Sequence, residues 1–266
     1  MRLRALCWTP QGTPTAPPVV LVAGWISTVE GWSRLLRSLV GSRQVVYLES
    51  REKRSAELDA ARLRPEAFTL ERLAEDLRIC CRQSRLLQGP PVLVGSSLGA
   101  NVILEALKRE GPAPLGAFLV GPNARVPIPR WGRAVIAMPP SVYPLLKHFL
   151  LWYLRTFLVD HRADPEQMRR YERTVNAAEP ARLRMSAKAV LDYEVWPGLE
   201  RIAVPVRLGV APTDTLHRGD EARRIAALIP GASVVEYPSS TSMHTERVVE
   251  DIDGLVESAR ENAPCA

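Results

Sequence analysis

Short apolar runs alternate with longer segments of helical spacing along most of this chain. The apolar runs lie at residues 19–23, 45–48, 92–94, 115–120 and 206–210. Apart from Arg207 they consist of hydrophobic residues and glycine, as in strands that are buried on both faces of a parallel sheet. Parallel neighbours need long connections that usually contain a helix, and the segments between most of these runs have that character. The alternation therefore predicts an α/β fold with a mostly parallel central sheet flanked by helices.

The alternation is interrupted between residues 123 and 200. This stretch is rich in helical patterns and contains no convincing parallel strand, and the strand–helix alternation resumes at residue 206. We therefore expect residues 1–122 and 201–266 to form one α/β core, with residues 123–200 inserted as a helical cap or lid.

A G-x-S-x-G motif formed by Gly95, Ser97 and Gly99 follows the apolar run 92–94 and precedes a helical segment. A serine on such a turn has a strained backbone, so its neighbours must be small. The serine would lie at a helix N-terminus, where the N–H of Leu98 could bind an oxyanion. The same residues also fit an ordinary strand-to-helix turn with Ser97 as its N-cap.

With these features the chain resembles the α/β-hydrolase superfamily over nearly its whole length. The resemblance rests on residues 19–25, the motif around Ser97, Asp214 and His244, which occur in the family's order. It implies that Ser97 is the nucleophile, His244 the base and Asp214 the acid that orients the base. It also implies a second oxyanion donor, the N–H of Trp25. Such a mechanism needs no metal and no organic cofactor.

Two segments depart from the pattern of that family. Ala23-Gly24 stands where many relatives have His-Gly, and residues 49–55 replace a glycine-rich loop that contains aspartate. These departures leave the subfamily, and with it the substrate, open.

Other residues compete for the roles of base and acid. His217 is the serious rival base because it lies three residues after Asp214, whereas His148 and His161 are expected to be structural. We prefer His244 because it lies on its own loop after a later strand. Near Asp214, Asp220 and Glu221 have the character of a helix start. The preceding strand end, residues 121–123, offers no carboxylate.

One helix of the predicted cap is amphipathic. Its apolar face is formed by Leu146, Phe149, Leu150, Tyr153, Leu154 and Phe157. Lys147, His148 and Arg155 fall on the other side and argue against a membrane-spanning helix. Three interpretations stay open: a helix packed on the core, a lid that lines an apolar substrate pocket with Leu146, Phe149, Leu150 and Tyr153, or a helix in peripheral contact with lipid.

Charge and cysteine usage limit the partners. The net charge of +6 comes from arginines spread along the chain rather than clustered, so no nucleic acid partner is expected, although mild attraction to anionic surfaces is compatible with it. The cysteines, at positions 7, 80, 81 and 265, lack metal-binding spacing. They favour a reducing, cytoplasmic location. The oligomeric state stays open.

Taken together, the residues favour a carboxylesterase-like serine hydrolase that acts on a small-molecule acyl substrate through an acyl-enzyme on Ser97. A serine at this position argues against the alkyl-ester chemistry of dehalogenases and epoxide hydrolases, which use a carboxylate nucleophile. A thioesterase or acyltransferase acting on a carrier-linked or CoA-linked acyl group is the alternative. A ligand-binding protein without catalysis also stays open.

Overall fold

A computed structural model describes residues 1–25, 27–59, 63–83, 87–111, 113–126, 128, 130–158, 165–212, 214, 217 and 219–261. His161, Arg162 and Cys265 lie outside the described residues.

A seven-stranded sheet forms the centre of the molecule. Its strands are β1 (Ala5–Trp8), β2 (Val19–Val22), β3 (Val45–Leu48), β4 (Val92–Ser96), β5 (Gly116–Val120), β6 (Val206–Val210) and β7 (Ser233–Glu236). They lie in the order β1-β3-β2-β4-β5-β6-β7. The edge strand β1 is antiparallel to β3, and all other neighbours are parallel. The predicted mostly parallel sheet is confirmed.

Helices cover both faces of this sheet. The helices of the core are α1 (Ser33–Val40), α2 (Leu70–Arg82), α3 (Leu98–Leu107), α8 (Gly219–Leu228) and α9 (Val249–Glu261). One apolar cluster joins α2, α3 and α8 to one face of the sheet, and a second joins α1 and α9 to the other face. In β4, Leu93 belongs to the first cluster, whereas Val92 and Val94 belong to the second. Burial on both faces explains why β2 and β3 are apolar at every position and why the central β4 and β5 are largely apolar.

The segment between β5 and β6 is helical. It contains α4 (Arg130–Ala137), α5 (Tyr143–Tyr153), α6 (Pro165–Ala177) and α7 (Pro180–Ala189), with a π-helical segment at Leu154–Leu158. We call residues 123–200 the insertion. No helix in the described part of the chain is both long enough and apolar enough to cross a bilayer.

Helix α5 continues into the π-helical turn instead of keeping regular spacing to residue 158. In a π-helix the hydrogen bonds span five residues, yet the rings of Tyr153 and Phe157 still pack against each other, with centroids 5.3 Å apart. Phe157 is 60% exposed.

Candidate active site

Ser97 occupies the sharp turn between β4 and α3. Its φ of 52° and ψ of −120° make it the only non-glycine residue with positive φ among those the structure describes. The turn is held by the N–H of Ser97, which donates to the carbonyl of Val120 at 2.8 Å. The Ser97 side chain makes no capping hydrogen bond to α3, so it does not serve as an ordinary N-cap. A strained serine at a helix N-terminus, with no hydrogen bond from its hydroxyl to the described residues, is typical of a nucleophile.

The glycines around Ser97 permit unusually close backbone approaches. A Cβ at Gly99 would lie 2.0 Å from the carbonyl oxygen of Val22, which is shorter than any real contact. At Gly95 it would lie 2.6 Å from the Ile103 side chain. Close packing around this turn therefore requires glycine at positions 95 and 99.

His244 faces the serine turn from the loop after β7. It ends a short 3-10 turn, Thr241–His244, and its side chain is buried. Its Nδ1 lies 2.9 Å from the carbonyl oxygen of Ser240, and its Nε2 lies 3.3 Å from Ser96 Oγ. Since a carbonyl can only accept, Nδ1 carries the proton in the neutral ring, and the lone pair of Nε2 points to Ser96 Oγ. This is the tautomer that a general base needs. Within the described residues the predicted hydrogen bond between His244 and Ser97 is therefore not formed, and the neighbouring Ser96 takes its place.

The surroundings of His244 favour the neutral ring. Burial lowers its pKa well below the usual value, and the positive charge of Arg170 lowers it further. The Ser240 carbonyl and the charge of Asp214 act in the opposite direction. The ring also packs against Trp32, with centroids 4.5 Å apart. A neutral imidazole can accept a proton at pH values where an ordinary histidine is partly charged.

Asp214 follows β6 as expected, but its hydrogen bonds differ from the predicted ones. Its carboxylate accepts from the backbone N–H of His217 at 3.1 Å and contacts His217 Nδ1 at 3.0 Å. Both ring nitrogens of His244 have other partners, so within the described residues the predicted Asp214–His244 hydrogen bond is not formed. The contact between Asp214 and His217 joins residues that are only three positions apart in the sequence, and such local contacts cost little chain entropy.

Asp214 is nevertheless a charged group of this site. Burial would raise its pKa, but the charge of His217 and hydrogen bonds from His217 and Ser240 outweigh that effect and lower the pKa to about 2. Its negative charge acts on His244 through space. The structure thus brings together Ser97, His244, Asp214 and the rival His217.

Ser240 and Arg170 were not among the residues predicted to act on the base. The Ser240 carbonyl accepts from His244, while its hydroxyl accepts from Arg170 Nη2 at 3.2 Å and hydrogen-bonds Asp214. Arg170 reaches this point from α6 of the insertion. A serine in a polar loop and one arginine among many carry no pattern that marks them in the sequence.

The proposed oxyanion donors lie where the end of β2 approaches the serine turn. A Cβ at Gly24 would lie 3.4 Å from Ser97 Cβ, which places the neighbouring Trp25 close to the turn. Among the described residues, no acceptor is within hydrogen-bonding distance of the backbone N–H of Trp25 or Leu98. Both N–H groups are therefore available to bind a negatively charged oxygen.

Residues 49–55, which depart from the family's pattern, contact the residues that follow β2 and include Trp25. We call residues 24, 25 and 27 the oxyanion loop. Lys53 Nζ donates to the carbonyls of Ser27 and Gly24, and Arg182 of α7 donates to the Lys53 carbonyl. The indole N–H of Trp25 donates to Ser186 Oγ, also on α7, at 2.9 Å. The loop is thus fixed on one side by the core and on the other by the insertion.

A cavity of about 390 Å³ extends from these residues into the insertion. The polar end contains Ser96, Ser97, Asp214, His217, Ser240 and His244. The predicted pocket residues Leu146, Phe149, Leu150 and Tyr153 all line the other end, together with apolar residues of α4, α6 and α7. A mostly apolar cavity with a few convergent polar groups at one end is typical of a small-molecule site.

Comparison with known proteins agrees with this architecture. Among solved structures, an esterase from Thermogutta terrifontis is similar, with a TM-score of 0.74 and 19% identity over 97% of this chain and 93% of that one. An enol-lactonase from Burkholderia xenovorans LB400 has a TM-score of 0.71 and 19% identity over 97% and 95% of the two chains. A bromoperoxidase from Bacillus anthracis has a TM-score of 0.74 and 16% identity over 96% and 95%.

At these identities the likeness shows the fold alone, and the three proteins differ in their chemistry. A search of curated proteins finds no match. The family model described as "Alpha/beta hydrolase family" matches residues 19–252, which is most of the chain. The chain therefore belongs to the alpha/beta hydrolase family.

Proposed function

We propose that this protein is a serine hydrolase that cleaves carboxylic esters through an acyl-enzyme on Ser97. The observation that carries the proposal is the position of His244. Its unprotonated Nε2 lies 3.3 Å from Oγ of Ser96, the residue next to the strained Ser97, and all three residues line one mostly apolar cavity. A neutral base next to a strained serine and to N–H groups that can bind an oxyanion supports acyl transfer.

In the proposed reaction, Ser97 Oγ attacks the ester carbonyl while His244 Nε2 takes its proton. The Ser240 carbonyl fixes the tautomer of His244, and the charge of Asp214 stabilises the imidazolium through space. The N–H groups of Trp25 and Leu98 hold the oxyanion, each worth about 3 to 4 kcal/mol in such sites. His244 then protonates the leaving alcohol, and water releases the acyl group by the same steps in reverse.

The lining of the cavity favours an ester with a large apolar acyl or alcohol part. The wall that the insertion contributes is mainly aliphatic and aromatic, so burial of an apolar chain against it lowers the free energy of binding. A thioesterase or acyltransferase acting on a carrier-linked acyl group is the second candidate. The exposed Arg169 and Arg173, one on each side of cavity-lining Arg170 and Tyr171, favour it because they could pair with a phosphorylated carrier.

The experiment that tests the proposal compares p-nitrophenyl esters with acyl-CoA thioesters of matched chain length. We expect kcat/KM for the esters to exceed that for the thioesters at every length and to rise with chain length until the cavity is filled. Thioester turnover far above ester turnover would replace the esterase by the thioesterase. No turnover of either series, together with tight binding of the free acid, would favour a binding protein.

The charge of Arg170 gives a pH prediction. We expect Arg170→Gln to move the acid limb of the kcat/KM profile to higher pH, because removing a positive charge raises the pKa of His244. The active form holds neutral His244, so activity falls as the pH drops through that pKa. The measurement is kcat/KM for the best ester as a function of pH at constant ionic strength.

Arg169→Gln is the matched control, because it removes the same charge from an exposed neighbour on the same helix. We expect its acid limb to stay at the position of the parent protein. Equal shifts in both variants would mean that the pH of the acid limb depends on the overall charge of the protein and not on the position of Arg170.

A further inference from the structure

The insertion exposes an unusual number of large apolar side chains. Six of the ten that are exposed in the described chain lie between residues 131 and 157. They are Trp131 (36% exposed), Met138 (41%), Leu145 (78%), Phe149 (45%), Trp152 (53%) and Phe157 (60%). We call these six the aromatic surface. Single exposed apolar residues are common, but a group of this size indicates an interaction site.

The aromatic surface is held together by contacts between its rings. The centroids of Trp131 and Phe149 lie 5.3 Å apart, those of Phe149 and Trp152 lie 5.6 Å apart, and those of Trp152 and Phe157 also lie 5.6 Å apart. These are ordinary distances for packed aromatic pairs. The four aromatic members of the surface therefore form one continuous group, and Leu145 lies on the same helix as two of them, Phe149 and Trp152.

Helix α5 is apolar on two sides, and no residue of it is fully buried. Leu146 and Leu150 line the cavity, whereas Leu145 and Trp152 point away from it. Phe149 does both, since it lines the cavity and is 45% exposed. The apolar wall of the cavity thus continues onto the outer surface.

The positive charge of the segment that carries the aromatic surface indicates which kind of partner this surface would bind. Residues 111–159 contain five Arg or Lys residues and no Asp or Glu. Three of these cations, Arg125, Arg133 and Arg155, pair with carboxylates from outside the segment. Lys147 has no carboxylate of the described residues within salt-bridge distance and stays available to a partner. Aromatic side chains beside cations suit a lipid surface that carries negative charge. A second copy of this chain would instead bring like charges together, which opposes self-association.

We propose that the aromatic surface binds peripherally to an anionic lipid membrane. Leu145, Trp152 and Phe157 would enter the headgroup region, where tryptophan is favoured, and Lys147 would face the lipid phosphates. The cavity wall at Phe149 would then adjoin the lipid. The proposal concerns binding and stands whether or not Ser97 is the nucleophile.

The test is sedimentation of the full chain with vesicles of phosphatidylcholine alone or with about 30% phosphatidylglycerol. We expect binding to the anionic vesicles only, and weaker binding at high salt. The double variant Leu145→Glu/Trp152→Glu should lower the bound fraction at least about tenfold, because two apolar side chains no longer enter the lipid. Neither residue lines the cavity, so ester hydrolysis in solution should persist.

Ile79→Glu/Leu228→Glu is the matched control. It places two glutamates at exposed apolar positions, 45% and 49% exposed, on α2 and α8 of the core. This variant should bind vesicles like the parent protein. Absence of binding by the parent protein, or equal losses in both variants, overturns the proposal. A dimer in vesicle-free solution that only the Leu145→Glu/Trp152→Glu variant loses would also overturn it, in favour of a second copy on this surface.

Discussion

Replacing Ser97 by alanine is expected to lower kcat for the best ester by about 10³- to 10⁶-fold, whereas Ser96→Ala should stay within about tenfold of the parent. The two neighbours differ in their backbones. Ser97 has positive φ at the start of α3 beside the free N–H groups, while Ser96 is the last residue of β4. Ser96 Oγ contacts His244, so its loss perturbs the base without removing the nucleophile. Steady-state kinetics of both variants measure the difference.

Covalent labelling with a fluorophosphonate makes the assignment independent of the choice of substrate. The adduct should be found on Ser97 in the parent and in Ser96→Ala, and it should be absent from Ser97→Ala. An adduct on Ser96, or a Ser97→Ala variant that hydrolyses as fast as its parent, would exclude the proposed mechanism. Circular dichroism and the temperature of unfolding show whether each variant is folded.

The second large effect is expected for the base. We expect His244→Ala to lose about 10³-fold or more in kcat, and His217→Ala to stay within about tenfold, because Nε2 of His244 contacts Ser96 beside the nucleophile, whereas His217 is bonded to Asp214. Asp214→Asn should fall between them, at about 10²- to 10⁴-fold, since the imidazolium loses a negative charge nearby. Kinetics at the pH optimum of each variant give the comparison.

The position of Asp214 makes this comparison decisive. Asp214 is hydrogen-bonded to His217 and not to His244, so an Asp214–His217 pair is the physical alternative for the base. A loss in His217→Ala as large as that in His244→Ala would support this alternative. The conservative variant His217→Gln separates it from a packing effect, because the side chain still fills the space beside Gly121.

The fold was predictable because it follows from local and periodic features. The strands from β2 to β6 are largely apolar, with Ser96 and Arg207 as the exceptions, since both faces of the sheet are buried, and that pattern is visible without knowing the partners. The serine turn was visible for a similar reason, because Gly95, Ser97 and Gly99 all lie within five residues. The mostly parallel order followed from helix-length connections.

The finer arrangement of the site depends on contacts between residues far apart in the sequence. Whether Asp214 bonds His217 or His244 depends on how the Asp214 side chain is oriented. The residue types in the sequence do not determine that orientation. The contacts of Arg170 with Ser240 and of Lys53 with Ser27 join distant loops through single side chains. Neither contact produces a periodic pattern of residue types in the sequence.

The support of the oxyanion loop has a consequence for exchanging parts between relatives. Lys53 holds the loop from the core, and Arg182 and Ser186 on α7 hold Lys53 and Trp25 in turn. A chimera that received residues 123–200 from another family member would lose the donor to the Lys53 carbonyl and the acceptor of the Trp25 indole N–H, while Lys53 itself stayed in the core. We expect such a graft to remain active only when the transferred segment supplies both groups again, so the order of the oxyanion donors depends on a part of the chain up to 161 residues away from Trp25.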